Sequence, residues 1–192
     1  VLGHAASWMD PNSSGFHAYS ANQGLGQCTP CHGQDLSGGA VGVACAQCHN
    51  ASLPPGVTNW SKNCVMCHGG TDNQTGAPPR TTWGNSADAV RVGAHTAHLA
   101  GGPLFGPMDC VLCHVKPADA LDSGHIDAPT ATVAFTGVAV ADNAKPTWNR
   151  KTPTCAVYCH GSTLTGGDGS KTTPDWTLGP GQATCGTCHA LP

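Results

Sequence analysis

Each of the twelve cysteines in this 192-residue chain belongs to a pair, and each pair is followed at once by a histidine. Five pairs have the spacing C-x-x-C-H: Cys28, Cys31 and His32; Cys45, Cys48 and His49; Cys64, Cys67 and His68; Cys110, Cys113 and His114; Cys185, Cys188 and His189. The sixth, Cys155, Cys159 and His160 in C-A-V-Y-C-H, has one more residue between its cysteines. With only 11 histidines in the chain, six chance placements have a probability on the order of 10⁻⁸, so a chemical reason is required. Covalent haem attachment supplies one. Two thiols add across the vinyl groups of one haem edge, and the following histidine swings under the ring to ligate iron. A disulfide scaffold gives no reason for the histidines. Zinc ribbons combine cysteine pairs in twos and again leave the histidines unused, and a thioredoxin-type pair needs one motif in a βαβ setting. The expectation is six haem c groups, each with its iron, and no cysteine left over.

The rest of the chain fits that demand. It holds 26 glycines and 15 prolines, with 10% charged and 5% aromatic residues. Leu, Ile and Phe are too sparse for an ordinary core. The disorder that such a composition otherwise suggests gives way to a cysteine density typical of stapled chains. The expected fold is mostly irregular coil with short helices and little β, organised around stacked haems whose faces replace an aliphatic core. The first cysteines of successive motifs are 17, 19, 46, 45 and 30 residues apart. This spacing divides the chain into a three-haem block with an N-terminal arm, residues 1–80, and a second three-haem block, residues 81–192. The junction falls at Thr71 to Arg80, and the two blocks together form one haem-packed unit. Periodic Ala and Val predict a helix from Ser86 to Ala100, stopped by Gly101-Gly102. Weak alternation around Thr136-Gly137 predicts a small hairpin from Ala131 to Val140.

Haem c used for electron transfer takes a second strong axial ligand. With His32, His49, His68, His114, His160 and His189 as proximal ligands, His4, His17, His95, His98 and His125 remain as distal candidates. His95 and His98 are three apart on the predicted helix, so they share a face and can reach two neighbouring haems. His125 lies in Ser123-Gly124-His125, where glycine lets the backbone approach a ring. Five histidines cannot serve six irons. Met108 and Met9 are the candidate sixth distal ligands, with a lysine or the amine of Val1 as further donors. The second block has three free histidines of its own, so the odd haem is expected at Cys28, Cys45 or Cys64. The arm, residues 1–27, either folds back on its own haems or lends His4 to a neighbouring chain, a head-to-tail contact that generates an open polymer.

The order His95-x-x-His98, Cys110-x-x-Cys113-His114, Gly124-His125, Val133/Phe135, Tyr158-Cys159-His160-Gly161, Trp176, Cys185-x-x-Cys188-His189 resembles a known type. It is similar to the multihaem domains of metal-reducing bacteria that join an expanded motif ending in Y-C-H to a later C-x-x-C-H. That form has four residues between the expanded cysteines, and this chain has three. The run Cys31-His32-Gly33-Gln34-Asp35-Leu36-Ser37-Gly38-Gly39 resembles the C-H-G-x-D-L-x-G-G run common after haem motifs. The resemblance implies an exported electron carrier of a kind that sometimes polymerises into conductive extracellular filaments.

A formal charge of −3 with 8 Lys+Arg provides no nucleic-acid footprint, and no stretch approaches the ~18 apolar residues of a membrane span. The start at Val1-Leu2-Gly3-His4 reads as a mature product after removal of an export signal. The expected location is extracellular or at the cell surface, with the periplasm as alternative. Dividing 192 residues by six leaves 32 per haem, too few to separate the rings, so the expected function is electron conduction along a close-packed row. Expected partners are other cytochromes, extracellular electron acceptors and further copies of this chain. Histidine on both sides of iron blocks substrate binding, so the chain reads as a carrier and not an enzyme. A reductase of small oxyanions with one open haem and a soluble periplasmic shuttle are the alternatives.

Overall fold

The computed structural model describes residues 3–69, 72–78, 88–128, 130–165, 171–184 and 186–188. Irregular chain predominates. Five short helices punctuate the described residues: α1 (His17–Ala21), α2 (Thr29–His32), α3 (Cys45–His49), α4 (Ala89–Val92) and α5 (His95–Ala100). The longest has six residues, well short of what holds a helix together in water without outside support. Tighter 3₁₀ turns form at Cys64–Met66, Cys110–Leu112 and Tyr158–His160. The described sheet is one antiparallel hairpin, β1 (Thr147–Asn149) with β2 (Thr154–Ala156), in which Trp148 stands opposite Cys155. The fold class is the one the composition implies.

No large side chain is fully buried among the described residues. The buried apolar set is small: Leu36, Ala77, Ala139, Ala144 and Val157. The chain exposes 11906 Å², whereas a compact protein of 19.4 kDa exposes about 8,500 Å². The short segments therefore bury much less of their own surface than a compact chain of this mass does.

Two local expectations are corrected. Residues 88–100 form two helices where one was expected, with the break at Gly93 (φ +40°); Ser86 lies outside the described residues. A side chain at Gly93 would overlap the indole of Trp176, so the break is where a distant tryptophan packs against bare backbone. The stop holds, since α5 ends at Ala100 and Gly101 turns to φ +73°. Residues 131–140 make no hairpin of their own. Ala134 and Thr136 donate backbone N–H groups to the carbonyls of Cys113 (2.9 Å) and Leu112 (3.0 Å), and a turn at Gly137–Val140 follows. That segment pairs with an attachment motif, and the hairpin forms further on, where it carries Cys155.

The two expected blocks touch. Ser61 Oγ donates to Asp119 Oδ2 at 2.7 Å, and the N–H of Ala120 donates to the Ser61 carbonyl at 2.7 Å. Of the expected junction, residues 71, 79 and 80 lie outside the described residues.

Candidate haem sites

Three of the C-x-x-C-H segments close as a single turn in which the histidine N–H returns to the carbonyl of the first cysteine. The distances are 2.9 Å for His32 to Cys28, 3.0 Å for His68 to Cys64 and 2.8 Å for His114 to Cys110. The turn brings both thiols to one side and starts the histidine off its end. Cys45 to His49 reach the same result as helix α3. The expanded motif is built differently. Cys155 lies in strand β2, Val157 is extended and buried, and the turn begins only at Tyr158. There the His160 N–H bonds to the Val157 carbonyl at 3.0 Å. The extra residue moves the first cysteine out of the turn and into the hairpin. Cys188 is described, while Cys185 and His189 lie outside the described residues.

Each free histidine faces the proximal candidate of a different motif. Ring centroids are 6.0 Å apart for His4 and His32, 5.7 Å for His17 and His49, and 6.0 Å for His125 and His68. The separation is 6.2 Å both for His95 and His114 and for His98 and His160. The ring planes of these pairs, in motif order, meet at 13°, 58°, 33°, 20° and 74°. The arm folds back on its own chain, with His4 stacked on Trp8 at 4.0 Å and facing His32. His125 of the second block faces His68 of the first, so the second block does not close on its own histidines. Five free histidines thus face the histidines of five motifs, all three of the first block among them. Met9 is 61% exposed. Met108 is tied by its N–H to the His98 carbonyl at 3.0 Å.

Six of these rings are held by a carbonyl at Nδ1. His32 bonds to Val43 (2.7 Å), His17 to Trp8 (3.0 Å), His114 to Thr132 (2.9 Å) and His125 to Ala120 (2.9 Å). His95 bonds to Val92 (2.7 Å) and His98 to Ala94 (2.8 Å). A carbonyl can only accept, so Nδ1 carries the proton and Nε2 keeps its lone pair, the tautomer that a metal-ligating imidazole needs. Burial holds His49, His68, His95 and His160 below the usual histidine range, His95 to about 4. Neutral imidazole is therefore the form that folding favours at these positions.

The thiols differ from those of a dithiol redox couple. The eleven described cysteines are all unpaired. Burial raises the thiols of Cys28, Cys45, Cys67, Cys113, Cys155 and Cys159, that of Cys155 to about 11. A dithiol oxidoreductase lowers its reactive thiol instead. Among the described residues, no three His, Cys, Asp or Glu side chains converge as they would in a zinc ribbon.

Four of the five consecutive pairs of motifs lie close together. Cys28 adds to the effect of burial on Cys45, and His114 adds to the effects of burial and of His125 on His68. Cys113 adds to burial at Cys155, and a side chain at Gly161 would come within 3.2 Å of the Cys188 carbonyl. Apart from Trp176, which the resemblance includes, the sequence reading did not single out the aromatic support. Trp8 contacts His4 and His17, Trp60 lies 5.8 Å from His49, and Trp176 contacts His95 and His98. The signal was available in a chain with 5 tryptophans, 3 phenylalanines and 2 tyrosines.

The residues present fit haem. Paired thiols, opposed imidazoles with free Nε2 and a scarcity of buried apolar side chains are what a covalently held macrocycle requires. Residues 154–189 match the family model described as the Geobacter CxxxxCH...CXXCH motif. These findings support a multihaem c-type cytochrome. The match takes in 36 of the 192 residues, and the chain departs from the motif's name in having three residues between Cys155 and Cys159 where the name has four. No curated relative and no solved structure matches this chain. Among the described residues, no helix is long and apolar enough to cross a membrane.

Proposed function

We propose that the chain is a hexahaem electron conduit in which five haems are held between two histidines of the chain and the sixth is not. One observation carries the reading: five free histidines face five different motif histidines at nearly one separation. An imidazole nitrogen lies about 2 Å from a bound metal and about 1.1 Å from its own ring centre, so two imidazoles on one iron have centroids about 6.2 Å apart. The observed 5.7 to 6.2 Å fits that arrangement. The distal ligands are then His4, His17, His125, His95 and His98, in the order of the motifs at Cys28, Cys45, Cys64, Cys110 and Cys155. Five pairs use ten of the eleven histidines, so the motif at Cys185, Cys188 and His189 takes methionine, another donor or an exogenous ligand.

Haem c, when attached, supplies a reversible ferric–ferrous couple whose potential two histidines keep low relative to His/Met ligation. The chain's own residues hold six of the imidazoles in the ligating tautomer and keep neighbouring motifs close, an arrangement in which attached haems would exchange electrons with their neighbours. This suits delivery of respiratory electrons from an exported protein to an extracellular acceptor or another cytochrome. The non-histidine haem is where the alternative of a small-oxyanion reductase would reside; steady nitrite or sulfite consumption by the reduced protein would favour that reading. Intact mass and pyridine haemochrome assay should give six haems, and the reduced protein should bind carbon monoxide at one. A mass equivalent to five haems would return Cys155 and Cys159 to an unattached pair, and carbon monoxide at two or more would break the histidine pairing. Negative-stain microscopy of the purified protein separates a head-to-tail polymer from a monomeric carrier.

A further inference from the structure

The distal candidates His95 and His98 occupy one short helix, and one residue far away in sequence touches both. The indole of Trp176 meets His95 edge-on at 4.7 Å and His98 at 5.4 Å with a 34° tilt. Its Nε1 donates to the Val90 carbonyl at 3.1 Å, across 86 residues. The indole lies against Gly93, where the atoms of any side chain would overlap Nε1, Cδ1 and Cε2, so α4 and α5 are separated at the point where the ring enters. The Nδ1 acceptors of the two histidines, Val92 and Ala94, flank that glycine. On its other side, Trp176 is anchored to the expanded motif. Its backbone N–H donates to the Pro153 carbonyl at 2.8 Å, and Trp148, which pairs with Cys155, stands 6.2 Å away at 77°.

We infer that Trp176 is a shared positioning residue that fixes the ring orientations of His95 and His98 together, and so sets the properties of the haems at Cys110 and Cys155 as a unit. The inference rests on the proposed histidine pairing. The geometry gives it a specific content. His95 and His114 are close to parallel at 20°, whereas His98 and His160 are close to perpendicular at 74°. In low-spin ferric haem, near-parallel imidazoles give a rhombic spectrum and near-perpendicular ones give a signal with a large maximal g value. One tryptophan thus holds two neighbouring haems in opposite geometries. No other described residue contacts both rings by an aromatic edge or face.

The test uses the purified holoprotein and the variants Trp176→Phe and Trp176→Leu, read by electron paramagnetic resonance and by a redox titration of all haems. His95→Ala and His98→Ala each assign one signal first. If either leaves the wild-type spectrum unchanged, the histidine pairing itself is wrong, which is distinct from failure of the tryptophan's role. With the signals assigned, both tryptophan variants should retain six haems by mass and shift both assigned signals and both assigned midpoints, leaving the remaining haems at their wild-type values. Trp176→Phe keeps a ring against Gly93 and loses the donor to Val90, so its shifts should be the smaller. Wild-type signals in the phenylalanine variant at both haems, a change at only one of the two, or a change at every haem in the molecule would each overturn the shared role.

Discussion

The first attachment motif and the fifth are held in place by opposite means. Around Cys28, Cys31 and His32 the support is local. The run after His32 folds straight back: Gly38 N–H donates to the His32 carbonyl at 2.9 Å, Leu36 is buried at 5% exposure, and His32 takes its Nδ1 acceptor from Val43, eleven residues on. Around Cys155, Cys159 and His160 the support comes from afar. The hairpin presents Cys155, His98 approaches from α5, and Trp176 ties both to Val90 across 86 residues. Local support makes a site self-contained, and distant support makes two sites depend on each other. A substitution at the first site should therefore stay there, while one at the fifth should spread to the fourth.

The strongest way to break this contrast is Gly39→Ala. A side chain there would meet the Gly33 nitrogen and come within 2.7 Å of the Cys31 carbonyl oxygen and the His32 carbonyl carbon, at φ +44°. Backbone on all sides cannot yield, so the cost should be about 2–5 kcal/mol in denaturant unfolding. The spectral change should be confined to the haem at Cys28. Disturbance of the haems at Cys110 or Cys155 would mean that the first site is not self-contained.

Asp119→Ala tests an intermediate case, the contact between the blocks. Asp119 accepts from Ser61 Oγ at 2.7 Å and from its own turn at Leu121 N–H, 3.0 Å, and the Ser61 carbonyl receives Ala120 N–H. The Ala120 carbonyl in turn holds His125. The loss should be about 1–3 kcal/mol, with the signal of the Cys64 haem moving and those of Cys28 and Cys45 unchanged. An unmoved Cys64 haem would show that His125 is placed without the Ser61–Asp119 contact.

Thr136→Val should have the smallest effect. The hydroxyl donates to the Val111 carbonyl at 2.7 Å in an exposed position, and the methyl replacement keeps the shape. A loss of about 0.5–1 kcal/mol is expected, without spectral change, because the backbone bonds of Ala134 and Thr136 already fix the Cys110 turn. A shift of the Cys110 haem would show that this motif needs its side-chain tie.

The same contrast explains what could be read from the sequence. Motif spacing is local chemistry, so the attachment turns and their histidines were legible, as was the pairing of His95 and His98 on one helix face. The C-H-G-Q-D-L-S-G-G run was legible for the same reason. What escaped was non-local. Nothing near Gly93 announces that an indole from residue 176 will split the predicted helix. Alternation at residues 131–140 has the period of a strand, but it cannot say that the partner is the Cys110 turn and not the segment itself. Counting histidines by block put His125 with its sequence neighbours, whereas the Ser61–Asp119 contact turns it toward His68. Which histidine faces which motif is set by such distant contacts and cannot be counted off block by block.

The central claim is that five free histidines serve five motifs and leave the last one without a histidine partner. Near-infrared magnetic circular dichroism of the fully oxidised holoprotein, quantified per haem, tests it most directly because the charge-transfer band reports the axial ligand pair. The account predicts five haems with two histidines and one with a different signature, the odd one retained in a His4→Ala variant that converts one further haem. Six bis-histidine haems in the wild type, or an odd signature that disappears when Met9 and Met108 are intact but Cys64 is replaced, would contradict it.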